Sequence, residues 1–208
     1  MTKQILALSS MLTGSLMAGS VPAPTYSKAP VPPAPAAPSQ LSYNTLEVGW
    51  LHSEWDFVNL HSSDGAYGSL SYSPVEHFYL TAGGGWESVE LLDESTDLWI
   101  ANGGVGAYLP VGGGFDLVGE GGVSFYGFSN SPIGDDNDAS AYFRPHVRGR
   151  WGNFEVQAGA AWTNLDISNE WAGFGRVYVG LINNLDLSAG ISAGKEEYTL
   201  NVGLRFRY

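Results

Sequence analysis

Charged residues that could form ion pairs occur throughout the part of the chain in which apolar and polar residues alternate. All six arginines and a set of acids take positions opposite apolar residues in segments that read as β-strands. The set that we expect to pair comprises Glu47, Asp116, Arg148, Arg150, Glu155, Arg176, Asp186, Arg205 and Arg207. Neighbouring strands would present opposite charges to each other, and in a narrow interior each charge needs a partner because desolvation is costly. This spacing predicts ion pairs that close the interior of a barrel.

A second group of acids lies in a short segment that could bind a cation. Asp135, Asp136 and Asp138 follow Gly134 and offer the oxygen ligands that calcium prefers, but the spacing and closing Glu of an EF-hand are absent. A weak divalent-cation site and a merely solvated acidic loop are both compatible with this pattern. The histidines are scattered without the spacing of zinc ligands.

Two motifs raise the question of catalysis. The run His61-Ser62-Ser63-Asp64 brings a base, hydroxyls and a carboxylate into one predicted loop, but four successive residues do not by themselves supply the geometry of a triad. Glycine clusters at 83–85, 103–104 and 112–114 are not followed by the lysine of a phosphate-binding loop, so they indicate strand kinks or turns. We therefore expect no enzymatic activity and no cofactor.

Composition restricts the class of protein further. The 208 residues contain 28 Gly, 7 Trp, 11 Tyr and 9 Phe but only 14% charged residues, a balance that favours a β protein with an apolar exterior. There is no cysteine, which excludes disulfides and thiolate metal sites. The net charge of -12, with nine Lys and Arg in total, argues against nucleic acid as a partner.

The N-terminal residues read as export and linker segments. Lys3, an apolar stretch from 5 to 18 and the small residues Ala18-Gly19-Ser20 predict a signal peptide over residues 1–20. Residues 21–40 are rich in Pro and Ala, a composition that favours extended polyproline II, and they predict a periplasmic linker. Residues 41–208 are left for a single folded domain.

That domain alternates with period two to its end. In the last segment Leu204 and Phe206 lie on one face, with Arg205 and Arg207 on the other. Similar segments lie near 43–57, 66–73, 77–91, 96–109, 115–128, 140–150, 154–165, 171–182 and 185–194. Short turns, the first predicted at Ser73-Pro74-Val75, alternate with acidic connections that are mostly longer. The pattern predicts an all-β, single antiparallel up-and-down transmembrane β-barrel of about ten strands, with an eight-stranded count left open.

The positions of the aromatic residues help to distinguish a membrane barrel from a soluble one, which would also alternate. They concentrate at strand ends, as expected for two belts at the membrane interfaces. The predicted turn-side belt contains Phe78, Tyr108, Phe115, Trp151, Phe154, Phe206 and Tyr208. The predicted loop-side belt contains Trp55, Phe57, Trp86, Trp99, Phe125, Phe128, Tyr142, Phe143, Trp162 and Trp171.

The last residues carry a family resemblance. Asn201, Gly203, Phe206 and Tyr208 resemble the C-terminal assembly signal of bacterial outer-membrane barrels, in which apolar or aromatic residues spaced by one close the chain. The region 43–208 is similar in length and rhythm to the small outer-membrane β-barrel domain family, whose members have eight or ten strands. The resemblance implies insertion into outer-membrane lipid by the barrel assembly machinery.

These patterns rank three functions. First is an outer-membrane barrel with a structural or surface-interaction role and a lumen closed by ion pairs. A small, porin-like diffusion channel is the alternative, and an outer-membrane enzyme ranks lowest.

The export segment yields a test of processing. We expect the mature protein to begin near Val21 and to fractionate with outer membranes, because the small residues before Val21 suit signal peptidase. N-terminal sequencing of protein from isolated membranes measures this. An uncut Met1, or recovery in the soluble fraction, contradicts it.

Overall fold

The computed structural model describes residues 41–57, 60–91, 94–129, 136–164, 169–195 and 197–208. Within these residues the chain forms ten β-strands. They are β1 (Thr45–Phe57), β2 (Leu60–Val75), β3 (Phe78–Leu91), β4 (Glu94–Gly112), β5 (Phe115–Ser129), β6 (Asp136–Trp151), β7 (Phe154–Asn164), β8 (Asn169–Ile182), β9 (Leu185–Ala193) and β10 (Glu197–Arg207). The predicted signal peptide and linker lie outside the described residues.

The strands form one closed antiparallel barrel. Each strand pairs with the next along the chain, and β1 pairs with β10, so the described part of the sheet has an up-and-down order and no free edge. Glu47 and Arg205 are register partners across the closing seam. The prediction of about ten strands is confirmed, and the eight-stranded count is wrong.

Two-residue turns connect the strands at one end of the barrel, at 76–77, 113–114, 152–153 and 183–184. Gly113, Gly114 and Gly152 adopt positive φ angles of 65°, 83° and 58°, which side chains rarely tolerate. The first turn was predicted at Ser73-Pro74-Val75, but β2 continues to Val75. The pairing of β2 with β3 shifts register between Tyr72 and Val75, and Pro74 lies in this bulge. Proline has no N–H to donate to a neighbouring strand, and a bulge leaves a residue unpaired, so Pro74 is accommodated there.

At the opposite end, the strands extend further than the sequence suggested. The second strand was predicted to begin near residue 66, whereas β2 begins at Leu60. The polar run 61–64, interpreted as a loop, is therefore paired strand, with Asp64 opposite His52 and Ser63 opposite Ser53. Polar side chains conceal this extension because strand patterns are recognised by their apolar face.

Burial is inverted relative to a soluble protein. On the outer face Trp50 is 48% exposed and Leu204 44% exposed, whereas Glu155, Asp186 and Arg205 in the interior are at most 2% exposed. A continuous apolar exterior of this kind is incompatible with water and suits hydrocarbon. No helix in the described part of the chain is long and apolar enough to cross a membrane. The apolar exterior of the closed sheet makes it a transmembrane barrel.

Aromatic side chains form belts on the outer face, with corrections to the predicted membership. Near the turns the outward aromatics are Tyr72, Phe78, Phe115, Trp151, Phe154, Phe206 and Tyr208, and towards the loops they are Trp50, Trp86, Trp99, Phe125, Phe143, Trp162 and Trp171. Tyr108, Phe128 and Tyr142 instead belong to the inward series of their strands. Aromatic type alone does not fix the face, because tyrosine has a polar tip. The side chains of Trp55 and Phe57 lie outside the described part.

Two inward tyrosines lie across glycines of other strands, Tyr79 over the adjacent β4 and Tyr67 past β1 to β10. A Cβ atom on Gly106 would overlap the Tyr79 ring at Cζ, and one on Gly203 would lie 2.6 Å from the hydroxyl of Tyr67. Gly203, interpreted from the sequence as part of the assembly signal, therefore also makes room inside the barrel. The Tyr67 hydroxyl that it admits donates a hydrogen bond to Glu47 at 2.7 Å.

The position of Tyr208 allows its role in membrane assembly to be tested separately from its role in stability. Tyr208 is 52% exposed, its hydroxyl donates to the Ser71 carbonyl at 3.0 Å and its backbone N–H to the Asn44 carbonyl at 3.1 Å, so its deletion should cost about 1–2 kcal/mol of unfolding free energy. We expect membrane-inserted yield in cells to fall well before that stability does. Measuring both quantities for the deletion and for Tyr208→Phe, which keeps the ring, separates the two effects. Undiminished insertion of the deletion variant would argue against an assembly signal.

Candidate functional site in the barrel interior

Charged side chains from seven strands converge in the turn-side half and the middle of the interior. Strand alternation directs all of them inward. Counted from β1 to β10, they are Glu47, Asp116, Glu120, Arg144, Arg148, Glu155, Arg176, Asp186, Arg205 and Arg207. The network described below consists of the hydrogen bonds and ion pairs among these side chains.

Arg205 is the centre of the network. Its Nη1 and Nη2 donate to the two carboxylate oxygens of Glu155, both at 2.8 Å. Its Nε and Nη2 also donate to Oδ2 of Asp186 at 2.9 and 2.7 Å. The guanidinium carbon lies 3.5 Å from the centre of the Tyr178 ring. Such a two-pronged, buried arrangement is the strongest form of an arginine–carboxylate pair.

Glu155 also receives a second arginine. Arg148 donates from Nη2 to Oε1 of Glu155 at 2.7 Å and from Nε to the same oxygen at 3.3 Å. The Nη2 group also contacts the Ser42 carbonyl at 3.2 Å, and the guanidinium lies 4.4 Å from the centre of the Tyr43 ring. One carboxylate on β7 thus links β6 to β10 through the interior.

Two looser pairs lie nearer the loops. Nη1 of Arg176 lies 3.3 Å from Oε2 of Glu47, and Glu47 also accepts a hydrogen bond from the Ser188 hydroxyl at 2.8 Å. Nη1 of Arg144 lies 3.4 Å from Oε1 of Glu120. These distances exceed the 2.7–2.8 Å of the shortest contacts around Glu155, so the ion pairs weaken towards the loop end.

The last two predicted arginines behave differently from each other. Nε of Arg207 lies 3.0 Å from Oδ2 of Asp186, and its Nη2 donates to the Asn183 carbonyl at 2.8 Å. Arg150 donates from Nε to the Gly152 carbonyl at 3.3 Å and forms no ion pair within the described ranges. The structure therefore places Arg150 outside the predicted network, because it lies beside the turn and reaches a turn carbonyl.

Most of the ion pairs in the described residues join neighbouring strands, as expected from the sequence, but others cross the interior. Arg205 and Asp186 are register partners on β10 and β9, and Arg148 on β6 pairs with Glu155 on the adjacent β7. The Arg176–Glu47 pair joins β8 to β1, which are not adjacent. In so narrow a barrel, long side chains reach across the interior as easily as along the wall.

Residues 41–44 fill the turn-side mouth, a feature that sequence reasoning missed. Tyr43, interpreted as the start of the first strand, is 4% exposed and lies before β1. Its ring stacks on Tyr108 at 3.9 Å, and its hydroxyl donates to Oδ2 of Asp116 at 2.8 Å. Burial raises the pKa of the Tyr43 phenol far above its ordinary value, which keeps this donor protonated. The sequence feature that could have indicated this filling is the pair of apolar residues Leu41 and Tyr43 just after the Pro-rich segment.

Most of the predicted cation site lies outside the described residues. Asp135 and the side chain of Asp136 lie outside the described residues, whereas Asp138 accepts a hydrogen bond from the Tyr126 hydroxyl at 3.1 Å. Across the described segments, no three His, Asp or Glu side chains are grouped to hold a metal ion.

The polar run 61–64 does not converge on one point. Ser63 is buried and donates to Glu87 in the interior, whereas Asp64 lies on the outer face, 3.0 Å from Nδ1 of His52. The side chain of His61 is outside the described part. An extended strand separates alternate side chains onto opposite faces, so Ser63 and Asp64 do not share a site.

The network predicts a large effect on stability. Replacing Arg205 by Met leaves Glu155 and Asp186 short of a partner and should lower the unfolding free energy by about 3–5 kcal/mol. Arg150→Met, which removes the same charge beside a turn, should change it by about 0.5 kcal/mol or less. Reversible urea unfolding in lipid vesicles measures both. Equal losses in the two variants would contradict a buried hub at Arg205.

Comparisons with known proteins add a likeness of fold only. No protein-family model and no curated protein matches this chain. Among solved structures, the N-terminal β-barrel domain of Pseudomonas aeruginosa OprF is 14% identical, with 81% of this chain and 100% of that chain covered and a TM-score of 0.43. Ail of Yersinia pestis is 15% identical, with coverages of 80% and 100% and a TM-score of 0.41.

OprG of Pseudomonas aeruginosa is 8% identical, with 80% of this chain and 97% of that chain covered and a TM-score of 0.44. Likeness at this level carries no argument about function, so the assignment rests on this chain's own strand order and burial. Because the sheet closes on itself and presents apolar side chains outward around a charged interior, the protein is a ten-stranded β-barrel of the outer-membrane type.

Proposed function

We propose that this protein is a non-conducting outer-membrane barrel with a structural or surface-interaction role. The observation that carries the proposal is the bridge from Arg205 through Glu155 to Arg148, which crosses the interior from β10 to β7 to β6. A general pore needs a continuous water column, and this bridge stands where the column would pass.

The residues around the bridge leave little space for water. Glu155 and Arg205 are each 2% exposed. On the turn side, the Tyr43 ring packs against Tyr108 and lies 5.1 Å from the Tyr79 ring between centres. Guanidinium groups and aromatic rings therefore occupy successive levels of the same half of the barrel.

Opening the bridge is energetically expensive. Moving one arginine aside strands a buried carboxylate, at a cost of about 3–5 kcal/mol. Since about 1.4 kcal/mol corresponds to a tenfold change in population, an open form at the lower cost is populated at roughly 1% or less. A steady diffusion pathway is not expected from such a minor state.

The polar end of the barrel supports the surface-interaction part of the proposal. The carboxylates of Glu54 and Asp64 are 64% and 66% exposed at the loop end. With a net charge of -12 on the chain, this surface would attract divalent cations and basic partners. Outer-membrane lipid around the apolar face and the barrel assembly machinery at the C-terminal signal complete the proposed partners.

Conductance decides between this function and a diffusion channel. We expect the refolded protein in planar bilayers to show no steady conductance. Joint replacement of Arg148 and Glu155 by Ala removes both members of one ion pair of the bridge, so neither remains without the other. This double variant should introduce a leak conductance. Arg150→Ala, outside the network, should stay closed.

Two results would reverse the conclusion. Steady conductance by the unmodified protein favours the small diffusion channel. A double variant that folds and inserts but stays closed shows that the bridge is not the barrier.

A further inference from the structure

A chamber lies in the loop-side half of the interior, beyond the tight part of the network. Its volume is about 230 Å³. The side chains that matter to its chemistry are Arg144, Gln157, Phe174, Arg176, Ser192 and Asn201. The Arg144 side chain is 41% exposed although it points inward, so the chamber is accessible to solvent. Because the ion-pair bridge and Tyr43 occupy the turn side, access is from the loop end.

Two guanidinium groups in the chamber retain hydrogen-bonding capacity. Arg176 donates hydrogen bonds to described residues only through Nη1. Its Nη2 and Nε groups therefore remain available as donors. Arg144 donates to Glu120 through one long contact of 3.4 Å. Arg205, by contrast, uses Nε, Nη1 and Nη2 at 2.7–2.9 Å. The donors of Arg205 are thus engaged in the tight part of the network, whereas donors of Arg144 and Arg176 remain available in the chamber.

The carboxylates facing these two arginines already have other donors. Glu47 accepts hydrogen bonds from the hydroxyls of Tyr67 at 2.7 Å and Ser188 at 2.8 Å. Glu120 accepts one from the Tyr79 hydroxyl at 2.9 Å. A second anion could thus share the guanidiniums without leaving either carboxylate unpaired.

The wall that carries Arg176 also offers an acceptor and an apolar face, from β10 and from β8. Oδ1 of Asn201 is buried and receives no hydrogen bond from the described side chains or backbone. A Cβ atom on Gly190 would lie 2.7 Å from this oxygen and 3.1 Å from Nε of Arg176, so the glycine leaves space where the two groups meet. The Phe174 ring supplies an apolar surface beside them.

We propose that this chamber binds a small hydroxylated monocarboxylate. The carboxylate accepts hydrogen bonds from Arg144 and Arg176, for which planar guanidinium groups are well suited. A ligand hydroxyl donates to Oδ1 of Asn201. Because a cavity of roughly 150 Å³ accommodates the six carbons of benzene, a chamber of about 230 Å³ encloses roughly nine non-hydrogen atoms of such a ligand, and the rest of a longer ligand extends towards the loop end. Repulsion by acids at the rim is screened beyond about 8 Å at physiological salt.

Binding of D-gluconate, with sorbitol as its uncharged counterpart, tests the proposal. Isothermal titration of the refolded full chain should give saturable binding of gluconate, with sorbitol at least tenfold weaker. Arg144→Met should weaken gluconate binding about tenfold or more, since a hydrogen bond to a charged group is lost. Arg150→Met removes the same charge outside the chamber and should retain full affinity.

Several outcomes overturn the site. They are the absence of saturable gluconate binding, equal binding of sorbitol, or equal weakening by the two arginine variants, which indicates general anion attraction. If circular dichroism shows that Arg144→Met fails to fold, Ala172→Leu decides, because it narrows the chamber without altering charge. Loss of affinity in that variant supports the site, and unchanged affinity overturns it. Neither conductance nor its absence bears on these results.

Discussion

Hydrocarbon offers a peptide group no hydrogen-bond partner, and the whole structure depends on this constraint. Pairing of β1 with β10 satisfies it by removing the last free edge of the sheet. Once the sheet is closed, adjacent residues face different surroundings because side chains alternate. Leu204, for example, faces hydrocarbon, whereas Arg205 faces the polar interior. The apolar exterior and charged interior are thus two consequences of one requirement.

The interior must then be filled or hydrated. Ten strands enclose more room than the eight that side chains just fill, and this chain fills the turn-side half with arginines stacked on tyrosines. Arg205 lies over Tyr178 and Arg148 over Tyr43, where the rings both contact the cations and limit access of water to their carboxylate partners. Filling stops where Gly190 and Ala172 replace large residues, and the chamber begins there.

The sequence predicted the faces of the strands better than it predicted contacts between them. Period-two alternation suffices to place Arg205 inward, because the bilayer enforces it at every position. It does not predict that Arg205 pairs with Glu155 on a non-adjacent strand, since that depends on the width of the closed barrel. Likewise Pro74 suggested a turn where a bulge admits it, and Tyr43 acts through tertiary contacts that no local pattern contains.

The closing seam links the two ends of the described chain, and this has a kinetic consequence. The backbone N–H of Tyr208 donates to the Asn44 carbonyl at 3.1 Å, and β1 and β10 pair along eleven residues each, from Thr45–Arg207 to Trp55–Glu197. Pairing over such a sequence separation is slow, because the loop entropy is lost before the contacts form. Until the seam closes, every intermediate has two exposed strand edges, which can pair with another chain. A second protein that holds both edges during insertion would shorten the lifetime of this vulnerable state.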